Sequence, residues 1–400
     1  EIRRILGVSI EQDKCIEILE NLGFELLGKN QMAAKFKVPS YRRNDVYREI
    51  DLIEEVSRIA GYENIPPTLP NINEGATISD ETRTIKLINE LFLGQGYSEI
   101  ISTSLTGDSF LKNYMTSLDD KTRVDVINPQ SEDATSLRQE LMPNLLNIVK
   151  TNFDNGNKSL KLYEIGKTFK AKDEPNEDFS GVLEERKISG CIFGHTNNEY
   201  WNKKETADFY TIKGVLENLF ELLGLTKRIV FSPLKEDKKF MHPYQTATIE
   251  LLGKNPINIG YVGKIHPVLS DKLKFNQDLF VFEINLEILL KNINFNNVVK
   301  YKKLPISTPV LRDIAFVVED KTTNTDIMKA IKKVSDKNIF KGAKLFDIYR
   351  GENIGLDKKS MAYRIILQDD AKTLTDSEIE AEVKKIKDGL VKNISGLTLR

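Results

Sequence analysis

The sequence contains few of the residues on which disulfide scaffolds and zinc sites depend. Among 400 residues there are two cysteines and three histidines. Cys15 and Cys191 lie far apart without the spacing of a metal site, so we expect reduced thiols in a cytoplasmic protein. His195, His242 and His266 are too scattered along the chain to predict a metal triad. These shortages exclude a disulfide-rich scaffold as the fold class.

Long apolar runs and the common catalytic signatures are also missing. No stretch reaches the ~18 apolar residues that span a bilayer, and residues 1–15 lack the basic and apolar regions of a signal peptide. There is no GxxxxGK[ST] phosphate loop, GxSxG elbow or HExxH motif, and residues 94–97 lack the third glycine of a dinucleotide fingerprint. We therefore expect no membrane contact. Because the chain does not begin with Met, we expect a fragment of a longer protein.

The composition is that of an ordinary soluble protein, but the charge is unevenly distributed. The chain is 40% hydrophobic and 29% charged, and its length predicts about two to four domains of ~150 residues. Residues 301–400 carry 20 basic and 15 acidic residues, whereas residues 1–70 carry 10 and 12. The basic C-terminal quarter is consistent with binding to a polyanion, and equally with a lysine-rich solvated surface.

The hydrophobic pattern of the first 69 residues predicts a small α+β module. Ser9 and Gln12 predict a capping box, from which a helix runs to Gly23 and is followed by a hairpin. A second helix is expected over residues 45–60. Its buried stripe is expected to consist of Ile50, Ile53, Val56 and Ala60. Closely spaced prolines within residues 64–75 predict a linker.

The remaining pattern completes a multidomain α+β protein. Residues 70–300 mix long helical patterns with more numerous strand-like runs, which predicts a largely antiparallel sheet flanked by helices. Residues 305–400 read strand–helix–strand–strand–helix–strand, the order of a ferredoxin-like fold. In this segment Thr375 and Glu378 predict the capping box of the last helix. The expected domains are therefore 1–69, 70–300 and 305–400.

The densest group of potential ligands is a set of four acidic residues around the second helix. They are Asp45, Asp51, Glu54 and Glu55. The last three stand at i, i+3 and i+4, so their carboxylates share one helix face. Such a group repels itself unless it is protonated, paired or bridged by a hard cation. Arg48 and Arg58 stand at pairing distance along the helix. Spacing alone leaves a metal site and a salt-bridged face open, and favours the salt-bridged face.

A second group of candidate residues lies on the strands expected in the C-terminal domain. It combines aromatic and basic side chains, namely Phe346, Tyr349, Arg350, Tyr363 and Arg364. Sheets of this kind can stack nucleic-acid bases on exposed rings. Aromatic residues on strands more often fill a hydrophobic core, and the sequence alone favours that interpretation.

Three stretches of the chain closely resemble the β subunit of bacterial phenylalanine–tRNA ligase. The first, VPSYRRNDVYREIDLIEEVSRIAGYENIP, is similar to the metal-carrying module of that family. The second comprises NPQSEDATSLRQELMPNLL, LYEIGKTF and YVGKIHP, and is similar to its class II synthetase-like core. The third comprises LRDIAFVV, LFDIYRGENI, KSMAYRIIL and TLTDSEIEAEV, and is similar to its ferredoxin-fold anticodon-binding domain. The three stretches follow the family's order and represent essentially the whole chain.

The resemblance implies a cofactor and two partners. The family's Mg²⁺ ligands fall on Asp45, Asp51, Glu54 and Glu55, which reverses the preference for a salt-bridged face. The family shares this ion with its α subunit in an α2β2 tetramer, so the site is expected to be incomplete in the isolated chain. The tRNA for phenylalanine is the second partner, and Arg350, expected at a strand end beside a glycine turn, is the first candidate for contact with the anticodon.

The resemblance also implies that this chain is not itself the catalyst. Residues 137–140, Leu-Arg-Gln-Glu, only faintly match an ATP-binding motif, and no glycine-rich segment ends in an ATP-clamping arginine. We therefore expect no catalytic or ATP-binding residue here, and expect the α subunit to bind ATP and phenylalanine. The alternative is a self-sufficient metal-dependent hydrolase that uses the carboxylates. The carboxylate stretch offers no His, Cys or Ser with an obvious partner, which disfavours that alternative.

Overall fold

The computed structural model describes most of the chain in two compact units. The described residues are 1–70, 75–172, 181–196, 201, 205–234, 238–293, 301, 303–355 and 357–399. The first unit comprises Glu1–Val215, Pro233–Thr248 and Gly260–Leu290, and the second comprises Leu216–Ser232, Ile249–Ile259 and Lys291–Arg400. Part of the predicted linker and residues 294–300 of the predicted central domain lie outside the described residues. Within the described residues, no helix is long and apolar enough to cross a membrane.

The N-terminal part of the first unit is a small α+β module. Its elements are α1 (Ile2–Leu6), α2 (Gln12–Asn21), β1 (Glu25–Lys29), β2 (Ala34–Lys37) and α3 (Glu49–Ala60). The two strands form an antiparallel hairpin. The helices pack on one another through an apolar core of Cys15, Ile18, Leu19, Phe24, Val46 and Val56. This arrangement confirms the predicted order of helix, hairpin and helix.

Both predicted helix starts in this module are wrong. The residue that precedes α2 is Glu11, which makes no side-chain cap, so Ser9 lies outside the helix. Helix α3 begins at Glu49, because Asp51 accepts hydrogen bonds from the backbone N–H of Arg48 (2.7 Å) and fixes the first turn there. Ile50 therefore lies in that first turn, beyond the buried stripe, and is 41% exposed. Ile53 and Val56 are buried as predicted.

A seven-stranded sheet dominates the middle of the chain. Its strands are β3 (Ser98–Glu99), β6 (Leu160–Ala171), β7 (Val182–Phe193), β8 (Ile229–Pro233), β9 (Met241–Leu251), β10 (Ile257–Ile265) and β11 (Leu279–Asn285). The order across the sheet is β3-β6-β7-β11-β10-β9-β8. Strands β6, β7, β11 and β10 pair antiparallel, and β3 joins β6 in parallel. The largely antiparallel sheet is thus confirmed.

Helices and a short second ribbon accompany this sheet. The ribbon consists of β4 (Leu105–Thr106) and β5 (Ser136–Leu137). The helices are α4 (Asp80–Gly94), α5 (Asp108–Asn113), α6 (Met142–Asp154), α7 (Phe209–Leu222), α8 (Pro267–Lys272) and α9 (Leu286–Asn292). Helix α6 presents Leu145, Leu146 and Val149 to the core, where they join Cys191 and Val281 of the sheet. Cys191 is wholly buried, and burial raises the pKa of its thiol to about 12.

The C-terminal residues form the predicted ferredoxin-like fold. Its elements are β12 (Val310–Glu319), α10 (Asn324–Val334), β13 (Phe340–Tyr349), β14 (Lys358–Leu367), α11 (Asp376–Asn393) and β15 (Thr398–Leu399). The sheet order is β13-β14-β12-β15, with every described pair antiparallel. Thr375 and Glu378 form the predicted capping box of α11, and Thr323 and Asp326 form another at α10. One face of the sheet packs against both helices through residues such as Phe316.

Candidate functional site

Glu55 is the buried centre of the acidic group in the N-terminal module. Its side chain is 8% exposed. Oε1 accepts a hydrogen bond from Arg42 Nη2 (2.7 Å), and Oε2 accepts from Arg58 Nη2 (2.5 Å) and Nε (3.1 Å). These bonds, first that from Arg42 and then those from Arg58, lower the pKa of Glu55 to about 2. Glu55 is therefore ionised and neutralised by guanidinium groups.

Arg42 links two of the four predicted ligands. It lies in the short helical turn Ser40–Arg42, and its Nε donates to Asp45 Oδ2 (2.8 Å) while Nη2 contacts Glu55. Spacing along the helix predicts Arg48 and Arg58 as counter-charges, but not Arg42. The three-residue spacing from Arg42 to Asp45 was the one signal that could have revealed it.

The other two acidic residues have different environments. Asp51 Oδ2 accepts hydrogen bonds from the backbone N–H of Tyr47 (3.0 Å) and Arg48 (2.7 Å), which lower the pKa of this carboxyl group. The guanidinium of Arg48 is more distant, at 3.7 Å. Glu54 is exposed, and its carboxylate has no hydrogen-bond or ion-pair partner among the described residues. The helix face thus carries one capping carboxylate, one doubly paired carboxylate and one free carboxylate.

As arranged, these carboxylates do not fit a divalent cation. Among the described residues, no three His, Cys, Asp or Glu side chains lie close enough together to hold a metal ion. Both oxygens of Glu55 already accept from guanidinium groups, and Asp45 is paired with Arg42. The geometry is that of the salt-bridged face, with Arg42 added. Metal binding by the four residues stays a prediction.

The ferredoxin-like domain has an open sheet face opposite its helices. Register places Asp313, Arg364 and Lys344 side by side on β12, β14 and β13. The guanidinium of Arg364 lies 5.2 Å from the ring centre of Phe346 and makes two bonds of 2.8 Å to Asp313. Phe346 is 52% exposed. We call Asp313, Lys344, Phe346, Tyr349 and Arg364 the open face.

The aromatic candidates divide between this face and the core. Tyr349 lies on the open face, in register with Ser360, and is 43% exposed. Tyr363 is fully buried, stacks on Phe316 and donates its hydroxyl to Asn324 Oδ1 (2.7 Å). Tyr363 is therefore a core residue because its position on β14 alternates with that of Arg364. The core interpretation holds for Tyr363 and not for Tyr349.

Arg350 follows the last residue of β13 and reaches solvent as expected. Its side chain is 61% exposed, and its Nε donates to Asp320 Oδ1 (2.9 Å). The sequence also allows Arg350 merely to pair with Glu352 two residues on, but the side chain of Glu352 lies outside the described residues. Lys359 Nζ donates to the backbone carbonyl of Asp320 (2.6 Å), so a second cation lies beside Arg350. Arg350 and Lys359 thus both bind Asp320 at the end of this sheet.

Arg138, within the faint ATP-binding motif, is occupied by a buried ion pair. Its Nη1 lies 2.9 Å from Glu164 Oε1, and the two side chains are 4% and 3% exposed. Nε donates to the carbonyl of Lys167 (2.9 Å), and Nη1 to the hydroxyl of Ser102 (2.7 Å). Ser102 in turn donates to Glu164 (2.7 Å). These bonds leave Arg138 engaged within the core rather than facing a substrate.

Three family models match successive parts of this architecture. Residues 65–286 match the phenylalanyl tRNA synthetase beta chain CLM domain. The chain belongs to the phenylalanyl-tRNA synthetase β-chain family. The B5 domain of tRNA synthetases matches residues 1–62, and the ferredoxin-fold anticodon-binding domain matches residues 305–400. The resemblance seen in the sequence is thereby confirmed, as is the α+β fold class.

Curated relatives carry the same family name. The phenylalanine–tRNA ligase β subunit of Staphylococcus epidermidis is 34% identical over 98% of this chain and 47% of its own length. That of Bacillus licheniformis is 34% identical over 98% of this chain and 46% of its own length. The chain thus spans about half the length of these relatives. A solved pyrrolysyl-tRNA synthetase of Desulfitobacterium hafniense aligns with a TM-score of 0.39 at 14% identity, over 52% of this chain and 64% of that one.

Proposed function

We propose that this chain is the part of a phenylalanine–tRNA ligase β subunit that binds tRNA and supports aminoacylation by a partner α subunit. Family membership and the ferredoxin-fold anticodon-binding match support this function. The observation that carries it is the open face, where Phe346 and Tyr349 expose rings beside the cation of Arg364. Exposed rings and guanidinium planes are the surfaces on which unpaired RNA bases stack.

Binding of the anticodon arm tests this proposal. The 400-residue chain should bind the anticodon stem–loop of the tRNA for phenylalanine more tightly than a stem–loop with a scrambled loop. Phosphate contacts by lysine and arginine should make the affinity fall steeply as salt rises. Fluorescence anisotropy over a salt series measures both effects. Equal affinity for the two loops at every salt concentration would reduce the interaction to nonspecific electrostatics and refute recognition of the anticodon.

We propose that the α subunit performs the chemistry and that the two chains form an α2β2 tetramer. The buried pair of Arg138 and Glu164 supports a silent core, because Nε and Nη1 of this guanidinium are committed to internal bonds and the side chain is only 4% exposed. Exposed apolar side chains such as Ile101 (93%) and Tyr244 (90%) support a partner surface. Pyrophosphate exchange by the pure chain should be absent, and aminoacylation should appear only after it co-purifies with an α subunit.

A self-sufficient hydrolase receives no support from the acidic group. Glu55 is held ionised between Arg42 and Arg58 and is largely buried, so it is not available as a general base for an external substrate.

We further propose the three-domain division at 1–69, 70–300 and 305–400, which the three separate family matches support. We also propose a cytoplasmic location.

We retain Asp45, Asp51, Glu54 and Glu55 as proposed Mg²⁺ ligands only in an assembled complex. Family membership supports the ligand set, whereas the ion pairs of Arg42 oppose it in the free chain. Calorimetric titration with Mg²⁺ should therefore show no binding to the free chain and binding in the complex with an α subunit. The pair Asp51→Asn and Glu54→Gln should abolish the second signal. Equal heats for the complex and this double variant would refute the assignment.

A further inference from the structure

The last strand of the ferredoxin-like domain covers only part of the neighbouring strand edge. Strand β14 pairs with β12 along all of Val310–Glu319. On the opposite side, β15 pairs only through Leu399 with Phe316 and Thr398 with Val317. Within the described part of the chain, residues 310–314 therefore have a partner strand on one side only. In antiparallel sheets alternate residues direct N–H and C=O groups to opposite neighbours, so this edge presents unpaired backbone groups.

A groove runs between this bare edge and α11. The surface pocket has a volume of about 380 Å³. Its wall on the sheet side includes Arg312 and Leu399, and its wall on α11 includes Val383, Lys384 and Lys387. Leu399 is 39% exposed, and Val383 is half-buried. A strand edge beside a helix, with apolar side chains at the base, is the shape into which an extended segment can be added as a further strand.

Two lysines of α11 line the groove, between two acidic residues of the same helix. The ammonium groups of Lys384 and Lys387 have no hydrogen-bond or ion-pair partner among the described residues. Asp313, on the same strand edge, is held by Arg364 and so does not neutralise them. Glu380 lies one turn before Lys384 and Asp388 follows Lys387, so the acidic groups flank the lysines at the two ends. The middle of an added strand would therefore face two free cations.

We propose that residues 310–314 of β12, together with helix α11, form a docking site for an extended segment of a partner protein. The segment adds in line with β15, antiparallel to β12, and about five residues spanning ~17 Å complete the edge. An acidic side chain of the segment faces Lys384 and Lys387, and an apolar one packs on Val383 and Leu399. This proposal does not rest on RNA binding, which concerns the open face; Asp313 is the one residue common to that face and the groove lining.

The bare edge favours a peptide over the other possible occupants. A nucleic acid would contact the lysines but leave the backbone groups of residues 310–314 without ladder partners. In a second copy of this chain, an identical edge would direct Arg312 into the groove, towards Lys384 and Lys387, and like charges would repel. An acidic extended segment can pair with the backbone groups of residues 310–314 and can place a carboxylate near Lys384 and Lys387.

A designed peptide tests the proposal on the full chain. The probe is a seven-residue peptide, Thr-Val-Thr-Glu-Thr-Val-Thr, blocked at both ends and used at up to about 1 mM. It should slow hydrogen exchange of amides within residues 310–314. The double variant Lys384→Glu and Lys387→Glu should bind the peptide about tenfold more weakly. Arg312→Glu should also lower the affinity for the peptide. The matched control, Lys329→Glu and Lys332→Glu on α10, should bind it as the unchanged chain does.

Four outcomes would overturn the proposal. The first is no protection of residues 310–314 at the highest peptide concentration. The second is equal binding of a peptide N-methylated at alternate residues, which cannot form the ladder. The third is binding of oligouridylate, but not of the peptide, with loss in the Lys384→Glu and Lys387→Glu variant, which would assign the groove to nucleic acid. The fourth is protection of the same amides when the protein concentration is raised without peptide, together with a dimer in light scattering. That result would assign the groove to a second copy of this chain.

Discussion

Arg42 Nη2 lies 2.7 Å from Glu55 Oε1, and this ion pair joins two segments thirteen residues apart. One segment is the short turn Ser40–Arg42, and the other is α3. Arg58 contacts the second oxygen of Glu55, whose side chain is 8% exposed. Because each carboxylate oxygen faces a guanidinium, the pair anchors the segment that carries Asp45 to the helix. Arg42 is thus a structural residue of this module.

Removal of Arg42 should destabilise the chain. Arg42→Ala leaves a largely buried carboxylate with one of its two partners, and we expect a loss of about 1–3 kcal/mol in the free energy of unfolding of this module. Urea unfolding followed by circular dichroism measures it. Arg43→Ala is the matched control, because Arg43 is exposed and has no described side-chain contact, and should change stability by less than about 0.5 kcal/mol. Equal losses for the two variants would contradict the role of Arg42.

The stability of the module should depend on pH through Glu55. The pKa of Glu55 is lowered from 4.5 to about 2 by its bonds to Arg42 and Arg58. A carboxyl group with a lowered folded-state pKa contributes stability that is fully present above its unfolded pKa. This contribution is lost as pH falls from about 4.5 towards 2. Unfolding of the unchanged chain and of Glu55→Gln, compared from pH 7 to pH 3, should show a difference that narrows with acid. A constant difference would refute the assignment.

Glu283 should be a large contributor to the stability of the central sheet. Its Oε2 accepts from the backbone N–H of Leu141 (2.9 Å) and Met142 (3.0 Å) at the start of α6, and its Oε1 lies 2.9 Å from Lys187 Nζ. Glu283→Ala leaves a buried ammonium unpaired and should cost about 3–5 kcal/mol. Chemical denaturation measures the loss. Glu132→Ala, an exposed control, should be nearly neutral, and a loss of similar size in both variants would contradict this expectation.

Substitutions at the end of β13 should weaken RNA binding without unfolding the domain. Arg350→Ala should cost about 1–3 kcal/mol in affinity for the anticodon stem–loop, because it removes an exposed cation or stacking plane. Phe346→Ala should have a similar effect through loss of stacking. Lys337→Ala, at an exposed lysine outside the open face, serves as the control. Unchanged affinity in Arg350→Ala would move the contact elsewhere on the domain.

Much of the fold follows from short-range signals in the sequence. The pairing of Thr375 with Glu378 predicts the start of α11, and the structure shows the reciprocal bonds of that capping box. Alternation of apolar residues along β12 predicts which of its side chains face the helices. Such signals are reliable because the interacting groups lie within a few residues and their geometry is set by the helix or strand itself. At α2 the local pattern was misleading, because Ser9 predicted a cap whereas the helix follows Glu11, which makes no side-chain cap.

The chemical state of the candidate sites was decided only by tertiary structure. The sequence placed four carboxylates around one helix, but the approach of Arg42 from a separate turn determines that Glu55 is paired and ionised. The sequence also placed Arg138 in a motif-like segment, but Glu164 on β6 removes it from solvent. Burial and charge pairing depend on which distant segments meet in space. Because the cost of burying a charge is decided by those neighbours, spacing along the chain can nominate such residues but cannot assign their roles.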